Sequence, residues 1–179
     1  TPIDINPKSA YSLVVYDNDR IAIREHQNGK LWIYNKLSVD EIIFKPLAEN
    51  EVRDVQFSDD GKKLLFYTYN EIAVYFTNDW KTQPIREKNT ILQVARFSNV
   101  IKNVKWNKDY EHIIFTINGS AKITELDNRD RRNIEQIASF PSPIIQALYR
   151  FESNRIYFIL ETGELYFIEF PTPSNLFGF

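Results

Sequence analysis

The sequence predicts an all-β fold, a β-propeller or propeller segment of about four four-stranded antiparallel blades. Three observations carry this reading. Turn signals recur about every 45 residues, at Gln27-Asn28-Gly29-Lys30, Tyr69-Asn70-Glu71, Ile117-Asn118-Gly119-Ser120 and Thr162-Gly163-Glu164, and each separates two apolar runs. Aromatic residues make up 15% of the 179, Ile, Val, Phe and Tyr are abundant, and stretches at helical spacing are missing. Runs such as Leu64-Leu65-Phe66-Tyr67 are apolar on both faces, which a strand needs where sheets cover it from two sides.

Residues 1–179 then form one domain of four units, at about 8–47, 52–97, 101–140 and 144–179. The first is the most degenerate. It has strands at Leu13 to Tyr16, Ile21 to Ile23, Leu31 to Tyr34 and Ile42 to Phe44, with Asp17-Asn18-Asp19 as a turn. The second is the clearest, with strands at Val52 to Phe57, Leu64 to Tyr67, Ile72 to Phe76 and Ile91 to Phe97. The third follows with Val104 to Trp106, Ile113 to Ile117, Ala121 to Leu126 and Ile134 to Phe140, and the fourth with Ile144 to Tyr149, Ile156 to Leu160 and Leu165 to Phe170. The aromatic pairs Phe57 and Phe66, Trp106 and Phe115, Tyr149 and Phe158 keep one common separation, which supports the alignment. Asn-Gly between apolar runs predicts type I′ hairpins, which need positive φ at both central residues. Trp32 and Trp106 are core candidates. A chain of this size buries roughly 70% of its unfolded surface.

The stretch Phe57-Ser58-Asp59-Asp60-Gly61-Lys62-Lys63-Leu64-Leu65-Phe66 resembles the TolB-like, WD-repeat-like β-propeller repeat, whose usual form is Phe-Ser-Pro-Asp-Gly-Lys before an apolar strand. Asp59 stands where that repeat has Pro. Trp106-Asn107-Lys108-Asp109 leading to Ile113-Ile114-Phe115 is similar but lacks the glycine, and Tyr149-Arg150-Phe151-Glu152-Ser153-Asn154 is more distant. The cadence is also similar to propeller regions of bacterial envelope proteins that carry PEGA domains. The resemblance implies that the aspartate and glycine build a turn between inner strands, and it implies a fold rather than a chemistry. It also implies a bacterial, envelope or extracytoplasmic setting. A chain beginning at Thr1 without any methionine carries the further expectation that a signal, anchor or domain once preceded it.

The residues point to no catalytic, cofactor or metal site. Cysteine is absent, which removes disulfides and thiolate ligands. His26 and His112 fall near strand ends, where surface or hydrogen-bonded structural roles explain them. Asp17-Asn18-Asp19 lacks the glycine and terminal glutamate of a calcium loop. Asp59-Asp60 sit side by side on a tight turn and cannot straddle a glycosidic bond. Lys and Arg number 22 and Asp and Glu 24, mixed along the chain for a net charge of −2, so no basic face for nucleic acid is expected. No apolar run is long enough to span a membrane.

What remains is partner binding at the loops. Trp80, with Asp79, interrupts a polar stretch between the third and fourth strands of the second unit, as an interface anchor or as a cover for the blade edge. Arg129 and Arg131, within Asn128-Arg129-Asp130-Arg131-Arg132, are a solvated loop or a phosphate-contacting patch. The linkers Leu47 to Glu51, Ser98-Asn99 and Pro141-Ser142-Pro143 are further contact candidates, and Asn118-Gly119-Ser120 matches a glycosylation acceptor. The prolines from Pro171 onward make a poor last strand. Residues 1–6 then close the ring, or the four units belong to a larger one completed by missing blades or a homodimer. The sequence thus reads as a noncatalytic protein or peptide interaction module, with a glycan-active propeller, a peptidase accessory domain and a simple spacer as alternatives.

Overall fold

The computed structural model describes residues 5–129 and 132–170, and every regular element within them is a β-strand. Sheet one runs β1 (Tyr11–Val15), β2 (Arg20–Glu25), β3 (Leu31–Lys36), β4 (Ile42–Ala48). Sheet two runs β5 (Asp54–Phe57), β6 (Lys63–Tyr67), β7 (Glu71–Phe76), β8 (Ile91–Arg96). Sheet three runs β9 (Ile101–Trp106), β10 (His112–Ile117), β11 (Ser120–Glu125), β12 (Ile134–Ser139). Sheet four runs β13 (Ile144–Arg150), β14 (Arg155–Leu160), β15 (Leu165–Glu169), with no fourth strand among the described residues. All four are antiparallel meanders, so each strand pairs with its sequence neighbour. The expected strands are all present, shifted only at their ends. The expected closing strand at 1–6 and the tail from Pro171 fall largely or wholly outside the described residues.

The chain divides into two compact units, Thr1–Asn99 with sheets one and two, and Val100–Phe179 with sheets three and four. In the first, Ala22, Leu31 and Ile33 of sheet one share a buried cluster with Val55, Leu64, Phe66, Ala73 and Tyr75 of sheet two. In the second, Ile114 and Ala121 of sheet three join Ile144, Tyr149, Ile156, Phe158 and Leu160. Double-sided burial is what the unbroken apolar runs require. Leu64 and Phe66 enter the first cluster, and Leu65, on the other face of β6, is equally buried. Trp106 is a core residue, whereas Trp32 is only half-buried, lying beneath the Lys30 ammonium 5.1 Å from its ring.

The inner strands repeat one register. Phe57 faces Leu64, Trp106 faces Ile113 and Tyr149 faces Ile156. The aromatic pairs noted in sequence therefore lie on one face of each hairpin, the second member two residues beyond the partner of the first. The fourth strands repeat too: β4, β8 and β12 each carry a bulge after the pairs Leu31–Ala48, Ile72–Ala95 and Ala121–Ala138.

The two Asn-Gly turns are not type I′. At the first, Glu25 N donates to Lys30 O around a longer loop, and Gly29 alone has positive φ (67°). At the second, Asn118 (φ 53°) is left-handed and Gly119 is not. A tertiary contact accounts for both departures. Gly29 O accepts from Val52 N at 2.9 Å and Asn28 O from Glu51 N at 2.7 Å, while Gly119 O accepts from Phe140 N at 2.8 Å and Asn118 O from Ile144 N at 2.9 Å. These bonds draw passing backbone against the turn, so a Cβ on Gly119 would lie 2.5 Å from Phe140 O and one on Gly29 2.7 Å from Val52 N. Gly163 (φ 87°) closes a three-residue loop with open space around it.

Gly29→Ala combines a left-handed backbone with a clash and should cost about 2–4 kcal/mol, against about 1 kcal/mol for Gly163→Ala, where only the backbone term applies. Urea unfolding followed by circular dichroism checks the ranking, and equal losses would contradict it.

Candidate partner-binding site

Trp80 and Asp79 stand on the connection from Thr77 to Thr90, between β7 and β8, which is longer than its counterparts at 37–41 and 126–133. Hydrogen bonds tie this excursion to its sheet at both ends. Thr77 N donates to Lys62 O at 2.9 Å and its hydroxyl to Gly61 O at 2.7 Å, while the returning Asn89 N donates to Phe76 O at 2.7 Å. Midway, Trp80 and Arg86 exchange backbone bonds of 2.8 and 3.0 Å. The Asp79 carboxylate accepts from Lys88 N at 2.9 Å, and Lys88 Nζ reaches both Glu41 oxygens at 2.7 and 2.9 Å. That bond to Glu41 holds the Lys88 ammonium above the ordinary lysine value. Asp79 therefore fixes the loop while it also lines the grooves on either side of Trp80.

The half-buried Trp80 ring folds back over the sheet, with Lys63 Nζ 4.0 Å from its centroid. Lys63 is fully buried, a placement that its position inside a charged Gly-Lys-Lys triplet gave no hint of. Strand alternation puts it on the face of Leu65, which is the one signal that could have found it. Trp80 is also the wall between two open grooves. One, of about 540 Å³, is lined by Asp60, Lys62, Asn78, Asp79, Lys81 and Thr82. The other, of about 520 Å³, runs along Ile85, Arg86, Glu87 and Lys88, with Ile85 61% exposed. Both groove walls mix apolar surface with charges of either sign.

The turns before β6 and β10 show what their aspartates do. Asp60 accepts from the Ser58 hydroxyl at 2.7 Å and Lys62 N at 3.0 Å. Burial raises its carboxyl, but the Lys62 N–H, the Ser58 hydroxyl and the charges of Lys62 and Lys63 outweigh that, leaving it below the usual range. Asp109 occupies the same place. It accepts from Glu111 N at 2.9 Å, His112 N at 3.0 Å and, through its other oxygen, pairs with His112 Nδ1 at 2.7 Å. Burial is again overcome, here by His112 and the two N–H groups, and the carboxyl falls to about 2. Asp109 in turn raises His112 above the ordinary histidine value. These two carboxylates are committed to turn geometry.

Arg129 belongs to the other unit, where its guanidinium lies against the Asp127 carboxylate, with Nε 3.0 Å from both oxygens. Arg131 lies outside the described residues. Among the described residues no cluster of His, Asp or Glu is placed to hold a metal ion, and no helix is long and apolar enough to cross a membrane.

No protein-family model matches the chain, and no curated protein sequence does. Solved structures do match in fold. The β-propeller domain of Myceliophteria thermophila Cps50 (Swd1) is similar over 89% of this chain and 53% of that one, at 13% identity and a TM-score of 0.61. The WD40 domain of fission yeast SCAP matches over 97% and 45%, at 16% identity and a TM-score of 0.57. A chain in the complex of the fission yeast SREBP-SCAP binding domains matches over 97% of this chain and 49% of that one, at 15% identity and a TM-score of 0.53. The chain thus spans about half the length of these structures, and its fold is that of a β-propeller.

The Asp109–His112 pair makes a pH prediction. With its folded pKa raised, His112 contributes stability fully below about pH 6.5 and loses it as pH rises through that folded value. Asp109 contributes above about pH 4 and loses its share only as pH falls toward 2. His112→Gln should therefore destabilise most near pH 5 and least near pH 9 in urea unfolding; a loss independent of pH would contradict the assignment.

Proposed function

We propose that the chain is a noncatalytic protein-interaction module that engages its partner through the 77–90 connection. The observation that carries this reading is the paired grooves around Trp80, an aromatic anchor beside the exposed Ile85 and flanked by Lys62, Lys81, Arg86 and Lys88. Trp and Arg beside apolar surface are the residue types on which interface energy concentrates. The loop is also held in shape before binding by its own bonds to Gly61, Lys62 and Phe76, so little ordering entropy would be lost on association.

The fold supports the same reading at one remove, because propellers present loops from a rigid β scaffold. The complex of the fission yeast SREBP-SCAP binding domains is an instance in which a chain of similar fold is part of a protein complex. The TolB-like or PEGA-type identity and the bacterial envelope setting gain no support from the similar structures, which are of other kinds. Asp60 and Asp109, fixed in their turns, favour an interaction role over glycoside hydrolysis.

Replacing Ile85 with the photo-crosslinker p-benzoylphenylalanine should yield partner adducts that the same replacement at Val39, 82% exposed elsewhere in this unit, does not. Trp80→Ala should reduce those adducts at least tenfold while the circular dichroism spectrum is kept. Equal adducts from both positions, unaffected by Trp80→Ala, would refute the assignment.

A further inference from the structure

Sheets one and two leave a cleft of about 340 Å³ between them. Its apolar wall is made by Leu47 and Ala48 at the end of β4 and by Phe66 and Ala73 of sheet two, and all four belong to or pack against the buried cluster that joins these sheets. The exposed Glu49 and Asn50 and the half-buried Glu71 add polar groups to the lining. None of these residues lines the grooves beside Trp80.

The matching place between sheets three and four is filled. Phe66 is paired with Ala73 in sheet two and Phe158 with Tyr166 in sheet four, so Tyr166 stands where Ala73 does. Phe140, from the end of sheet three, packs against both rings, its centroid 5.2 Å from that of Phe158 and 5.0 Å from that of Tyr166. In the first unit Phe140 has no aromatic counterpart. Counted from the alanines at the bulges, Ala48 and Ala138, its place falls to Asn50; counted by the N–H that closes onto the turn carbonyl, it falls to Val52. Of three rings that fill the second unit, the first keeps only Phe66. Protein interiors are packed without voids of this size, so the missing rings account for the opening.

Charge adds a second requirement. Among the described residues, the lining holds two carboxylates, Glu49 and Glu71, and no Lys or Arg. Glu49 meets Lys30 Nζ at 2.8 Å and Glu71 meets Arg96 Nε at 3.2 Å, in solvent-exposed pairs of the kind that open at little cost.

We propose that this cleft is a second partner-binding site, and that it takes an aromatic side chain of an extended peptide with Lys or Arg beside it. The ring enters against Phe66 as Phe140 lies against Phe158, and the basic residue meets Glu49 or Glu71. The partner thus supplies from outside what the second unit supplies from its own chain, with charge complementarity at the rim.

The probe is the peptide acetyl-Lys-Phe-Lys-amide, titrated into the whole ¹⁵N-labelled chain with amide shifts followed by NMR. Saturable shifts at Ala48, Glu49 and Ala73 are expected. On the same unaltered chain, a peptide with alanine in place of phenylalanine should cause none, and one with glutamate in place of both lysines should bind about fivefold more weakly. Ala73→Tyr, which restores the pattern of the second unit, should abolish binding, and Asn50→Phe, made on the exposed linker where the core is undisturbed, should weaken it about tenfold. Shifts that do not saturate, an alanine peptide that binds as well, or binding that Asn50→Phe leaves unchanged would each overturn the proposal.

Discussion

Three backbone carbonyls hold the complete sheets to their shape. Those of Gly29, Asn70 and Gly119 stand one turn before the third strand and receive an N–H from the segment leaving the fourth. Each such bond is worth about 1 kcal/mol net, yet its geometric effect is larger than its energy. It requires the chain to pass within bonding distance of a turn, which excludes a side chain at residues 29 and 119. Asn70, the one non-glycine of the three, adds Nδ2 bonds to Phe97 O and Asn99 O. The bulge in every fourth strand follows, because the strand must bend back to bring its exit onto that carbonyl.

Polar groups inside the first unit are arranged around the same connections. Asn35, fully buried, donates to Thr77 O at 2.8 Å, and the Thr77 hydroxyl donates to Gly61 O at 2.7 Å. Tyr75, its hydroxyl pushed up to about 12 by burial, donates to Asn89 Oδ1 at 2.6 Å. Lys45 Nζ caps Asn89 O at 3.0 Å. A long loop carrying Trp80 is thus rooted in buried hydrogen bonds, although Asn35 Oδ1 accepts none, and a side chain on such a root can meet a partner without first being ordered.

Much of this was legible beforehand. Strand alternation and turn spacing located all fifteen strands of the described residues, and the common separation of Phe57–Phe66, Trp106–Phe115 and Tyr149–Phe158 aligned the inner hairpins, because such pairs reflect local register. The turn types were misread, since Asn28-Gly29 and Asn118-Gly119 answer to a distant backbone rather than to strand twist. Of the two core candidates Trp32 and Trp106, hydrophobicity alone does not tell which is core, and the place of Trp32 on β3 leaves it half-buried beneath Lys30. Asp79 lines the grooves beside Trp80, but its bond to Lys88 N follows a loop excursion that no periodicity encodes.

By itself, then, the order of residues determined which segments extend, where they reverse and which faces are greasy, because those properties depend on neighbours a few positions away. Tertiary structure alone decided that Lys63 lies beneath Trp80, that glycine is needed at 29 and 119 for close approach, and that Leu165 and Phe167 stay uncovered where Ile72 and Val74 do not. Each of these depends on groups tens of residues apart meeting within a few ångströms, and only packing brings them there.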